Sequence, residues 1–197
     1  MKKKNIVIVV VVVLFLLILG GSCKNMYNKM VEYNQVVNKE WANVESQYQR
    51  RLDLIPNLVA TVKGYATHEQ ETFTKVVEAR AKATQVKVDA TSLTEADIQG
   101  FQAAQGELSS ALSRLLLVVE NYPELKANQN FLELQAQLEG TENRIAVARK
   151  NFNDNMAVYN SYIKKFPPVL FAGIFGFKEK PYFASESQAD KAPKVEF

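Results

Sequence analysis

Acid–base or nucleophilic chemistry in this chain would have to run through His68, its single histidine. A histidine serves as a general base when a carboxylate orients it and a nucleophile stands within hydrogen-bond reach. The surroundings of His68 suggest no such triad, and an exposed helical position accounts for it better. A di-iron bundle would need Glu-x-x-His pairs on two helices. One histidine cannot supply both, and Tyr65 stands three positions before it. Glu69 and Glu71 are two apart and so point to different helix faces. Gly140, Gly173 and Gly176 are isolated, without the strand context of a phosphate cradle. Glu142 and Asn143 beside Arg144 read as a solvated or salt-bridged face. The single cysteine, Cys23, excludes an intrachain disulfide and leaves no thiol cluster for zinc. The expectation is a protein without catalytic residues, cofactor or metal, and not an enzyme.

Two segments carry residue types suited to binding rather than reaction. The first is Arg50-Arg51-Leu52-Asp53-Leu54-Ile55-Pro56-Asn57-Leu58-Val59. Arg51 falls among apolar positions, so its guanidinium calls for a carboxylate, with Asp53 or Glu78 as candidates. Such a pair would pin helix register, since buried ion pairs specify geometry more than they add stability. The alternative is a partner-binding patch of Arg50, Arg51, Asp53, Pro56 and Asn57. The second segment runs from Phe166 through Pro167, Pro168, Phe171, Phe175 and Gly176 to Phe177, with Tyr182 and Phe183 following. It is too apolar for an ordinary exposed loop, and its prolines and glycines make it too irregular to span a bilayer. It reads as a lid folded over the bundle end, burying its aromatics, or as a docking surface for membrane or partner.

The N-terminus sets the location. Lys2, Lys3 and Lys4 precede 14 unbroken apolar residues, Ile6 to Leu19. As a helix that run spans about 21 Å, short of the roughly 30 Å hydrocarbon core. With Asn5 and Gly20 to Ser22 at the interfaces, the segment reaches about 27 Å, a minimal span. The positive-inside rule then holds the lysines in the cytoplasm and sends the rest across. A lipoprotein-type signal is the second reading of residues 1–23, because Gly21 and Ser22 lead into the lone Cys23, which would carry the lipid. Gly20 departs from that pattern, where leucine is usual.

Residues 24–183 read as one helical domain, and 184–197 as a disordered tail. Tyr33, Val37, Trp41, Val44, Tyr48, Leu52 and Ile55 recur at three- and four-residue steps. Pro56 should kink that helix or start a new one, continuing to about Thr84 through Leu58, Val62, Tyr65, Phe73, Val76 and Val77. Residues 85–94 form a connection. Thr94 with Asp97 is a capping arrangement for a third helix ending near Tyr122, ahead of Pro123. A fourth starts near Asn130 with a near-heptad seam from Phe131 to Phe166, suited to shallow packing angles or to self-association. The result is an all-α, antiparallel bundle of about four long helices behind an N-terminal membrane segment.

The Arg50–Val59 stretch, with Tyr33-Asn34 upstream and Phe166-Pro167-Pro168 and Gly176-Phe177 downstream, closely resembles the LemA family of bacterial membrane-associated helical proteins. The resemblance covers residues 26–183 and implies the same antiparallel bundle, with no reaction assigned to the signature segment. It also implies a membrane context, since one relative in the group is associated with magnetosome membranes. Some relatives are described with the domain in the cytoplasm, an orientation the lysine cluster here opposes. Removing Lys2, Lys3 and Lys4 leaves 21 basic against 21 acidic residues, so the domain lacks the basic footprint of a nucleic-acid binder. The expected partners are the membrane, envelope proteins not yet identified, and a second copy of the chain.

Overall fold

The computed structural model describes residues 2–184 and is built from six helices, with no strand among the described residues. The tail expected over 184–197 lies outside the described residues except for Ala184. Helix α1 runs from Lys2 to Lys63 without interruption, about 93 Å at 1.5 Å per residue. Its first part is bare. Ile6 to Leu19 are each 47–69% exposed. From Met30 onward one face is covered, through Val37, Trp41, Val44, Tyr48, Leu52, Ile55, Leu58 and Val62.

Pro56 does not start a new helix. It lies inside α1, which continues to Lys63. A proline has no N–H and leaves the carbonyl four residues back without its helical donor. Here that carbonyl belongs to Leu52, and it accepts a hydrogen bond from Arg80 Nε at 3.0 Å. The break comes instead at residues 64–69, where Tyr65 and Ala66 both donate to the Val62 carbonyl. Asn128 braces this turn through Tyr65 Oη at 2.9 Å. The single segment expected from Leu58 to Thr84 is therefore the end of α1 plus a separate helix.

That helix is α2 (Gln70–Gln85), followed by α3 (Glu95–Val119), α4 (Pro123–Lys126), α5 (Gln129–Lys164) and α6 (Val169–Ala172). Thr94 caps α3 as its spacing predicts. Its hydroxyl accepts from the Asp97 amide while the Asp97 carboxylate accepts from the Thr94 amide. Asn128 caps α5 by accepting from the Phe131 amide at 3.0 Å. The helices run up, down, up and down, and α2 covers only half of the bundle's length. Its other half is faced by the connection after Gln85, which contributes Leu93 to the core with Val86 and Val88 packed alongside.

The apolar interior falls into two clusters. The one far from the bare end of α1 holds Leu52 to Val62, Phe73 to Ala83, Leu108 to Val119, Leu125, Phe131 and Leu138. The near one holds Met30 to Tyr48, Leu93, Ile98, Phe101, Ile145 to Ile163, Ala172 and Phe183.

Candidate functional site: a polar layer and a C-terminal strap

Arg51 stands where the two apolar clusters meet. Its neighbours on that face are Tyr48 in one cluster and Leu52 in the other. The side chain is 2% exposed, and a guanidinium buried to that degree needs acceptors. Nη1 donates to Glu142 Oε1 at 2.9 Å and to Ser109 Oγ at 2.8 Å. Nη2 donates to the Gln105 side-chain oxygen and to the Gln105 carbonyl at 3.3 Å. The guanidinium carbon lies 5.0 Å from the Tyr48 ring centre, a cation–π contact. Nε alone has no partner. Glu142 is 44% exposed, so the pair links the interior to water.

The carboxylate for Arg51 is thus Glu142 of α5, and neither Asp53 nor Glu78. Asp53 faces outward and accepts from Gln49 Nε2 at 2.7 Å, one turn away on its own helix. Both expected candidates are exposed. Arg50, Pro56 and Asn57 are exposed as well, so only one residue of the signature patch enters the layer. Gln105 sits between Phe101 and Leu108, and Glu142 between Leu138 and Ile145, on the same boundary of the two clusters. Gln105 and Ser109 carry no individual signal in the sequence, whereas Glu142, expected on a solvated or salt-bridged face, is half-exposed and bridges Arg51. The available hint was Gln105, which falls in step with Phe101, Leu108 and Leu112 on the α3 seam.

The C-terminal segment divides into an exposed turn and a bound strap. Phe166 is 78% exposed rather than part of the α5 seam, and Ile174 is 76% exposed. Pro167, Val169, Leu170 and Phe175 are exposed too, while Phe171 and Phe177 are half-buried. The lid expectation therefore fails for the turn. Gly176 closes it at φ 78°, a left-handed conformation that favours glycine. The amide of Phe177 then reaches back to the Ala172 carbonyl at 2.9 Å.

Beyond Phe177 the chain lies extended in a groove, held through its backbone by two asparagines of α5. Asn160 accepts from the Lys180 amide at 3.1 Å and donates to the Lys180 carbonyl at 2.8 Å. Asn153 does the same for Phe183, at 2.9 and 3.0 Å. The two are seven apart, the period that returns a residue to the same helix face. Gln102 and Arg149 both donate to the Ala184 carbonyl. Phe183 is buried, stacked on Trp41 at 5.7 Å and edge-on to Phe152 at 5.3 Å. Lys180 is also buried, with its amine donating to the Ala90 carbonyl at 3.0 Å and to Asn38 Oδ1 at 3.3 Å. Burial lowers its pKa below the ordinary 10.5, with Asp89 opposing the shift.

No group of three or more His, Cys, Asp or Glu side chains able to hold a metal occurs among the described residues. His68 is exposed on the 64–69 turn.

A sequence model of the LemA family matches residues 40–197. The chain belongs to the LemA family. Among curated relatives, this LemA-family chain is similar to magnetosome proteins MamQ 1 and MamQ 2 of Paramagnetospirillum magneticum (strain ATCC 700264 / AMB-1). It is 29% identical to each over 181 residues, covering 83% of this chain and 66% of theirs. It is also similar to Protein LemA of Metamycoplasma hominis, 26% identical over 137 residues, covering 70% of this chain and 58% of that one. The chain thus spans just under two thirds of the length of the MamQ relatives and less of the mycoplasma protein. The family match takes in the Arg51 layer, the exposed turn and the strap.

Proposed function

We propose that this LemA-family protein is a membrane-tethered, non-enzymatic helical scaffold or adaptor of the bacterial envelope. The carrying observation is that α1 is one helix with two environments. Ile6 to Leu19 are bare on all sides, as a lipid-facing segment would be, and Met30 to Val62 form a wall of the bundle. By length and composition α1 is able to cross a membrane. The cluster of Lys2, Lys3 and Lys4 supports a short cytoplasmic end with the bundle on the other side, whether Cys23 is a helical residue or the site of a lipid.

The bundle offers partners an apolar-dotted surface that its own fold does not use. Val77, Leu117 and Val147 are large, apolar and exposed on α2, α3 and α5. A photo-crosslinking amino acid at each of these positions, in the full chain in living cells, tests the scaffold. One envelope protein captured repeatedly from the same face is the expected result. Crosslinks to lipid alone, or to no defined species, would overturn the scaffold. Crosslinks to a second copy would make the chain a homo-oligomer.

The second reading is a lipid-contacting or membrane-shaping protein, favoured by the exposed apolar turn. The MamQ relatives are named as magnetosome proteins, and a membrane role fits that context.

A further inference from the structure

We infer that the turn from Phe166 to Phe175 is a second membrane contact, lying in the headgroup layer beside the point where α1 leaves the bilayer. This rests on the reading of Ile6 to Leu19 as the bilayer segment, and it adds a position, a depth and a set of residues.

Position comes from aromatic contacts with α1. Tyr33 meets Tyr162 near the end of α5 at 5.1 Å. Beyond Tyr162 the chain continues toward the bare end of α1, where Tyr27 packs edge-on to Phe175 at 5.2 Å and to Phe177 at 5.9 Å. The turn is therefore the part of the bundle nearest the anchor.

Depth follows from helix length. A hydrocarbon core of about 30 Å entered at Asn5 takes 20 residues at 1.5 Å each and ends near Lys24. Tyr27 is then about 5 Å further out, within the interfacial layer where aromatic residues concentrate. If Cys23 carries acyl chains instead, those chains leave α1 only about 6 Å from Tyr27, and the turn keeps the same depth.

Composition fits that layer. Phe166, Val169, Leu170 and Ile174 are exposed, and Phe175 keeps an exposed edge although Tyr27 and Phe171 pack against its ring. Lys24, Lys165 and Lys178, close in sequence to Tyr27 or to the turn, are exposed and suited to anionic headgroups, while the exposed Lys29 and Lys164 pair with Glu32 and Glu179. The backbone is suited as well. Pro167 and Pro168 bring no N–H, and the amides of Val169, Leu170, Phe171, Ala172, Phe175, Gly176 and Phe177 all find carbonyls between Lys165 and Gly173. With these seven amides satisfied within the segment, and those of Phe166, Gly173 and Ile174 left for water or headgroups, the turn enters an interfacial layer at reduced cost. The apolar run of α1 is shorter than the hydrocarbon core, so the turn supplies apolar surface where the anchor runs out.

Depth measurement by spin labelling tests this on the full chain. With Cys23→Ser as background, single cysteines replace Leu14, Ile174 or Ala136, the last exposed at the far end of α5. Each carries a nitroxide in vesicles of phosphatidylethanolamine and phosphatidylglycerol, relaxed by oxygen or by a water-soluble nickel complex. The expected result is that the label at 174 loses nickel relaxation and gains oxygen relaxation, in the direction of the label at 14. A label at 174 that behaves like the one at 136, with 14 still in lipid, overturns the inference and leaves the anchor standing. Labels at 14 and 174 that both behave like 136 overturn the anchor reading itself. A label at 174 shielded from both agents, with or without vesicles, shows a contact between copies and also overturns it.

Discussion

Arg51 shows what one side chain settles in this molecule. It joins α1 to α3 and α5 through Ser109, Gln105 and Glu142, so a bundle shifted by one turn would take the buried charge away from these acceptors. Arg51→Ala should cost about 3 kcal/mol, because breaking a buried pair strands the remaining polar groups and empties the site. Glu142→Gln should cost only about 1 kcal/mol, since the carboxylate is half in water. Denaturant titration of the detergent-solubilised chain measures both, and equal losses would put the weight on the ion pair itself. Pro56 and Arg80 form a second unit. Restoring the N–H at position 56 would give the Leu52 carbonyl a helical donor and make the arginine redundant. Arg80→Gln should therefore cost about 1–2 kcal/mol in the native chain and clearly less in Pro56→Ala, and a double-mutant cycle reads the coupling. Tyr48 supplies a pH dependence. Burial raises its hydroxyl pKa above the ordinary 10.0, with Arg149 and Arg51 pulling the other way. The unfolded chain loses that proton first, so stability is intact below pH 10 and falls as pH rises through the folded value. Tyr48→Phe should flatten the alkaline fall in a titration of stability against pH.

At the scale of elements, local signals were readable and long-range ones were not. The start of α3 was legible because Thr94 and Asp97 are three apart and cap it without outside help. The α5 seam was legible from Phe131 to Ile163 because its period is unbroken. At Pro56 the sequence leaves a kink and a new helix both open, because the donor that makes the proline tolerable comes from Arg80, on another helix. The carboxylate for Arg51 was misassigned for the same reason: Glu142 is 91 positions away, and no spacing rule connects the two. Phe166 fits the heptad of α5, yet α5 stops at Lys164 and the chain turns out before reaching it. The strap was legible only as apolar content. Its backbone clamps predict that Asn153→Ala will speed hydrogen exchange at the Phe183 amide far more than at Lys180, with Asn160→Ala doing the reverse. Uniform loosening of both amides would mean that the Phe183 ring, not the asparagines, holds the strap. Trp41→Ala, which removes the ring beneath Phe183, should destabilise the bundle by about 3–5 kcal/mol in denaturant.

The whole molecule is organised along α1, with the polar layer dividing its bundle portion and the exposed turn gathered at its bare end. Placing four residues between Ser22 and Cys23 would raise the bundle about 6 Å along the helix axis. The label at 174 should then regain nickel relaxation while the label at 14 keeps its lipid environment. An unchanged signal at 174 would mean that the turn is held at its depth by something other than its distance along α1.

One consequence of the unbroken helix is mechanical. A domain on a flexible tether would average over its orientations, but here the bundle is welded to its anchor with no hinge in α1 between them. From Lys24 to Lys63 the helix measures about 60 Å, so an anchor leaning by about 20° swings the far end sideways by about 20 Å. The lean of a short span depends on the thickness of its bilayer. With Ile6 to Leu19 in a bilayer as proposed, the protein would act as a pointer, translating a few ångströms of membrane thickness into a large arc at its tip.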